Sequence, residues 1–266
     1  PSRAAWLGAV AAAAALTRSE LIVLVPALVV PVCLASRGTT RAALTRVGAA
    51  LLWCTLALAP WVGWNAVRFE HPATLATGLD LSLSYSHCDE TWYGPETGLW
   101  NVFCGSDLRG DPELELLDET EIGELYRQRA GSYVRDNLDR WPTVVAARMG
   151  RTVGFYAPST HLQQESDREI REVPVLWSAL VASWLLGALG AVALVRPAPR
   201  SRAALAVLLT PLVAGLAGAA ITFGTTRYRA AGEVGLVLLG AYGIGMVQRM
   251  VARRRERAAR RSAEDW

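Results

Sequence analysis

Apolar residues in this chain gather into long uninterrupted runs, parted by short arginine-bearing connections and by one long polar segment. The runs Val47 to Val67, Val173 to Val195 and Ala203 to Thr226 hold 21, 23 and 24 residues without a charge. A helix rising about 1.5 Å per residue needs roughly 20 residues to cross about 30 Å of hydrocarbon, so each predicts a membrane span. Three shorter runs, Ala4 to Thr17, Leu21 to Ser36 and Val234 to Gln248, hold 14, 16 and 15 residues. Arg3, Arg37 and Arg249 at their ends can snorkel and lengthen them, which brings the expected number of spans to six.

The polar segment has its own pattern. Leu79, Leu81, Leu83 and Tyr85 alternate with Asp80, Ser82, Ser84 and Ser86, a period of two that predicts a half-buried strand. Asp111 and Pro112 read as an N-cap and first helical residue, with a helix to about Leu138 and a break near Gly123. Trp141 and Pro142 open another helix. Val144, Val145, Met149 and Val153 line one of its sides and Arg148 and Arg151 another, as in a helix lying on a membrane surface. The expected fold is mainly α: a polytopic transmembrane helix bundle of about six spans with a small disulfide-containing extracytoplasmic α+β segment. Its parts are spans in 1–68, an outer segment 69–173, spans in 174–250 and a basic tail 251–266.

Charge orients these parts. Of 266 residues 52% are hydrophobic and 19% charged, and all 27 basic residues are arginine. Residues 69–173 carry 19 acids and 9 arginines, a net of −10, and the rest carries 18 arginines and 5 acids, a net of +13. Arginines cluster in the tail from Arg249 and in the connections Arg37/Arg41/Arg46 and Arg196/Arg200/Arg202. Six spans put those three segments on one side, which the positive-inside rule makes cytoplasmic, and 69–173 outside. The expected location is therefore the plasma (inner) membrane, with residues 69–173 extracytoplasmic and the tail cytoplasmic. The chain opens on Pro1 with a span almost at once, and reads as the C-terminal part of a longer protein.

Cys33 and Cys54 fall inside spans. Cys88 and Cys104 share the oxidising outer segment, where a disulfide is expected, the alternative being two free thiols. His87, Asp89 and Glu90 lack a second His or Cys at ligand spacing, so no metal site is expected. Phosphate loops and Ser/His/Asp sets are missing, and seven tail arginines directly after a span fit anionic lipid better than nucleic acid.

The informative charges stand at the outer face: Arg18 and Glu20 between two spans, and Arg227, Tyr228 and Arg229, with Glu233 beyond, between two more. Such residues are commonly interfacial anchors, but a guanidinium also forks onto phosphate oxygens. The sequence Leu16-Thr17-Arg18-x-Glu20, then Pro60-Trp61-x-x-Trp64-Asn65, then Cys88-Asp89-x-Thr91-Trp92-Tyr93-Gly94-Pro95, then Arg227-Tyr228-Arg229-x-x-x-Glu233 resembles the GT-C superfamily of integral-membrane glycosyltransferases. The likeness is strongest to actinobacterial proteins related to protein O-mannosyltransferases and the aminoarabinose transferase.

The resemblance implies hexosyl or pentosyl transfer from a polyprenyl-phosphate sugar to an extracytoplasmic acceptor (protein, lipid or glycan), with no cofactor. It implies substrate-binding roles for Arg18, Glu20, Tyr93, Arg227, Tyr228 and Arg229. Trp64 departs from the arginine that the family usually has there. The family's acidic catalytic residue lies in a loop that no part of this chain matches, so no catalytic residue is assigned and the chain alone is expected to be inactive. The alternative is a non-catalytic membrane protein, a transporter subunit or a sensor with a ligand-binding outer domain.

Overall fold

The computed structural model describes residues 2–36, 38–71, 73, 75–106, 108, 114–195 and 201–264. The protein is 80% helical, with no strand among the described residues. The helices are α1 (Ser2–Thr17), α2 (Val30–Ala35), α3 (Thr40–Arg68), α4 (Gly78–Ser84), α5 (Asp89–Trp92), α6 (Glu119–Asp136), α7 (Trp141–Val153), α8 (Pro158–Glu169), α9 (Val173–Val195), α10 (Ser201–Ile221) and α11 (Ala230–Glu264). They form two compact units: Pro1–His161 with Val213–Arg229, and Leu162–Leu212 with Ala230–Trp266.

Among the described residues three helices are long and apolar enough to cross a membrane: Thr40–Arg68, Val173–Val192 and Thr226–Glu256. The apolar helices Ser19–Ala35 and Val207–Ile221 are shorter, and α1 has 16 residues. Two of the expected runs have local reasons to be less regular. Pro26 and Pro31 remove backbone N–H donors, and the chain passes through a 3-10 turn (Ser19–Val23) and a π turn (Val25–Val29) before α2 becomes α-helical. The run ending at Thr226 leaves helix at Ile221, because residues 222–225 form a turn.

In the first unit, small residues let helices approach closely. A side chain at Gly8 of α1 would run into the Ala50 backbone of α3. Ala4, Ala11, Ala12, Val29, Cys33 and Cys54 complete that core. The outward side of α3 keeps Leu52, Trp53, Leu56, Trp61 and Trp64 exposed, a surface suited to lipid. In the second unit α9 packs along α11, and a side chain at Gly243 would meet the Leu189 carbonyl.

The polar segment 69–173 differs from its sequence reading. Residues expected to form a strand are helix α4, so among the described residues the α+β expectation is corrected to all-α here. An isolated strand would leave its ladder groups unpaired, whereas a helix satisfies them internally, and the serines suit it. Ser82 Oγ donates to the Gly78 carbonyl and Ser86 Oγ to that of Ser82, each at 2.8 Å. The helix expected from Asp111 starts later. Asp118 is the N-cap of α6 and Glu121 closes its capping box, while Asp111 and Pro112 lie outside the described residues. Helix α6 runs unbroken through Gly123, which packs on Asp80 of α4. The Cys88–Cys104 disulfide is formed, with Cα atoms 5.7 Å apart.

Candidate functional site

Trp92 anchors the polar segment 69–173. It is fully buried, donates Nε1–H to the Ser86 carbonyl at 3.0 Å, and meets the Tyr133 ring edge-on at 5.2 Å. Beside it, α7 turns two arginines inward, contrary to the expected apolar seating. Arg148 and Arg151 are both 0% exposed, while Trp141 and Met149 are exposed.

Both arginines bind backbone carbonyls. Arg148 donates through one terminal nitrogen to Ala220 O (3.1 Å) and Ile221 O (3.0 Å), the last residues of α10, and through the other to Ser86 O (2.8 Å). Arg151 donates to Thr97 O (2.7 Å), Pro95 O (2.6 Å) and Ala157 O (3.4 Å). Burial lowers Arg148 to about 9 and Arg151 to about 10, so both stay charged at neutral pH. Gly224 N–H donates to Gly98 O at 2.7 Å, and a side chain at Gly224 would strike the Arg148 backbone. The turn after α10 is therefore clamped to the disulfide-bonded loop.

That turn carries the candidate residues. Thr226–Arg229 is one turn of 3-10 helix, in which residues two apart point about 120° from one another. Arg227 is exposed and Arg229 is 6% exposed, so the two do not present side by side. Tyr228 lies between them, its hydroxyl accepting from Thr222 Oγ1 at 2.8 Å and its ring edge-on to Phe223 at 5.5 Å. Its carbonyl passes so close to Gly215 that a side chain there would collide.

Arg18 joins this turn to the end of α1. Its Nε and one terminal nitrogen both bind Glu20 Oε1, at 2.8 and 2.6 Å, and the other terminal nitrogen donates to Arg227 O at 3.1 Å. Its guanidinium stands 5.6 Å from the Tyr228 ring centroid. The structure thus brings Arg18, Glu20, Arg227 and Tyr228 together, though they are distant in sequence.

Tyr93 keeps other company. It is 41% exposed, donates to Asn137 Oδ1 at 2.8 Å and lies under the Arg140 guanidinium at 4.8 Å. Cys88, Glu90 and Cys104 are the one cluster with metal-ligand spacing among the described residues, and the disulfide consumes both of its thiols.

Sequence reasoning placed Arg148 and Arg151 on one side of a helix but missed their burial, the carbonyls they bind and the Gly98–Gly224 bond. Nothing local marks an arginine that serves carbonyls more than 50 residues away. Chemically, Arg18, Arg227 and the Tyr228 phenol offer cationic and hydroxyl groups to an anionic oxygen, where two turns meet at the ends of apolar helices. No family model, curated protein or solved structure matches the chain.

Proposed function

We propose that this chain forms the donor side of a GT-C-type membrane glycosyltransferase. In this reading it holds the phosphate of a polyprenyl-phosphate sugar, whose sugar passes to an extracytoplasmic acceptor. The observation that carries the reading is Arg18: it braces on Glu20, reaches the Arg227 carbonyl and stands over Tyr228, at the start of one apolar segment and beside another. A lipid phosphate must keep its head at the interface while its chain lies along apolar helices, and this cluster combines charge with that depth.

The burial pattern refines the reading. Arg18 and Arg227 face the phosphate, with the Tyr228 hydroxyl beside them, and the inward Arg229 holds the turn. In this account all six apolar helical segments span the plasma membrane, residues 69–173 lie outside, and the arginine-rich end of α11 is cytoplasmic, following the charge bias.

The test is sugar release from a polyprenyl-phosphate sugar by the enzyme containing this chain, normalised to folded protein. Losing one charge-assisted contact worth roughly 1.5–3 kcal/mol should weaken donor use about 10- to 150-fold in Arg227→Ala. Arg227→Lys should recover part of it, since an ammonium lacks the planar fork. Unchanged donor use in both variants would mean that Arg227 is only an interfacial anchor.

A further inference from the structure

The outer segment contains a groove that the donor reading does not use. Its volume is about 270 Å³, and it lies between α4, α6 and the start of α7. Leu83, Ala130, Val134 and Ile221 supply apolar walls and Trp141 an aromatic one. Arg127, which also lines it, is paired with Asp80 at 3.2 Å and Glu124 at 2.9 Å, so its charge is met within the protein.

His87 also lines the groove and is 4% exposed. Its Nδ1 stands 2.8 Å from the Leu83 carbonyl, which can only accept, so Nδ1 carries the ring proton. The neighbouring Ser86 hydroxyl spends its own proton on Ser82 O. Nε2 is then an acceptor, and no described residue donates to it. Burial, and after it the Arg148 charge, lower His87 to about 4, which keeps the ring neutral at physiological pH. Among the described residues Nε2 is not one of the buried atoms that lack a partner, so it opens onto the groove, where a ligand's donor can replace water. Opposite the walls, a Cβ built on Gly131 of α6 meets nothing within 4 Å, so that position is open space.

We propose that this groove binds a small uncharged aromatic molecule carrying one N–H or O–H donor, with the donor on His87 Nε2 and the ring against Trp141. A cavity of about 150 Å³ holds benzene, so this one takes one or two rings. The apolar lining disfavours a charged ligand, which would lose its hydration with no partner. The exposed face of Trp141 favours a flat ring over an aliphatic chain. This site stands apart from the donor proposal, and its probe requires no sugar transfer.

The probe is 5-fluoroindole, observed by fluorine NMR against the protein in lipid nanodiscs, with empty nanodiscs as background. The expected result is saturable binding to the protein. Gly131→Leu fills the open space on a helix that prefers leucine to glycine, and should weaken binding at least about 10-fold. Fluoroindene has the same rings without the N–H, and should bind about 3- to 10-fold more weakly than fluoroindole. In His87→Phe the two probes should bind alike. Uptake no greater than in empty nanodiscs, or uptake unaltered by Gly131→Leu, overturns the site. Equal affinity of the native protein for the two probes overturns the role of His87, and that comparison needs no variant that must fold.

Discussion

The first unit contains two sets of arginines that use the same chemistry to opposite ends. Arg148 and Arg151 are fully buried and aim their nitrogens at six backbone carbonyls of the polar segment 69–173 and the end of α10. Arg18 is half-buried and Arg227 exposed, and the one carboxylate on Arg18 lies two residues away. A guanidinium sealed among carbonyls is a structural tie, since backbone carbonyls already take its terminal N–H donors. One left at the surface on a turn that such a tie holds rigid can still meet an anion. The difference lies in burial and partners, and residue type alone conceals it.

The sharpest way to break the comparison is Arg148→Met. It removes the side-chain donor from the carbonyls of Ala220 and Ile221 and leaves that of Ser86 to Trp92 alone, and should cost about 3–5 kcal/mol of unfolding free energy in detergent. Arg148→Lys should restore only part of it, because one ammonium cannot reach three carbonyls in one plane. If Arg148→Met unfolds like the native protein, the buried set is no tie.

The helices were largely legible in the sequence and the site only in part. Apolar runs marked α3 and α9 because lipid demands about 20 apolar residues wherever a helix crosses it. Alternating leucines misled at Gly78–Ser84, where period two competed with a strand's need for a partner, and the helix won. Arg18, Glu20, Arg227 and Tyr228 were visible as charges and phenols at span ends, but their meeting depends on the Gly98–Gly224 bond and on Arg148, contacts that pattern along the chain does not encode.

Next in size is the staple of the same loop. Replacing Cys88 and Cys104 together by serine should cost about 3 kcal/mol, the value for a loop of about 15 residues in the chain-entropy model. The same variant should loosen the turn at Gly224, read as faster amide exchange there, while exchange in α9 stays unchanged.

Acid should weaken the buried side of the comparison as well. His87 titrates at about 4 in the folded protein and about 6.5 when unfolded, so the unfolded chain binds more protons between those values. Stability from the neutral ring is complete above pH 6.5 and falls as pH drops towards 4, by up to about 3 kcal/mol. Unfolding curves from pH 7.5 to 4.5 should show this loss in the native protein and a smaller one in His87→Gln.

The smallest effect on stability belongs to the exposed set. Arg227→Ala should change unfolding free energy by less than about 0.5 kcal/mol, as for other surface changes, and its consequence should appear in ligand binding. A large loss of stability in Arg227→Ala would erase the distinction between the two sets.

The most direct measurement of the central claim is binding of a polyprenyl monophosphate, against the matching polyprenol, to the protein in nanodiscs, read by native mass spectrometry. The account predicts that the phosphate form binds more tightly, and that Arg18→Ala or Arg227→Ala removes about 10- to 150-fold of that preference with the fold intact. Equal binding of phosphate and alcohol, or a preference that survives both variants, would contradict it.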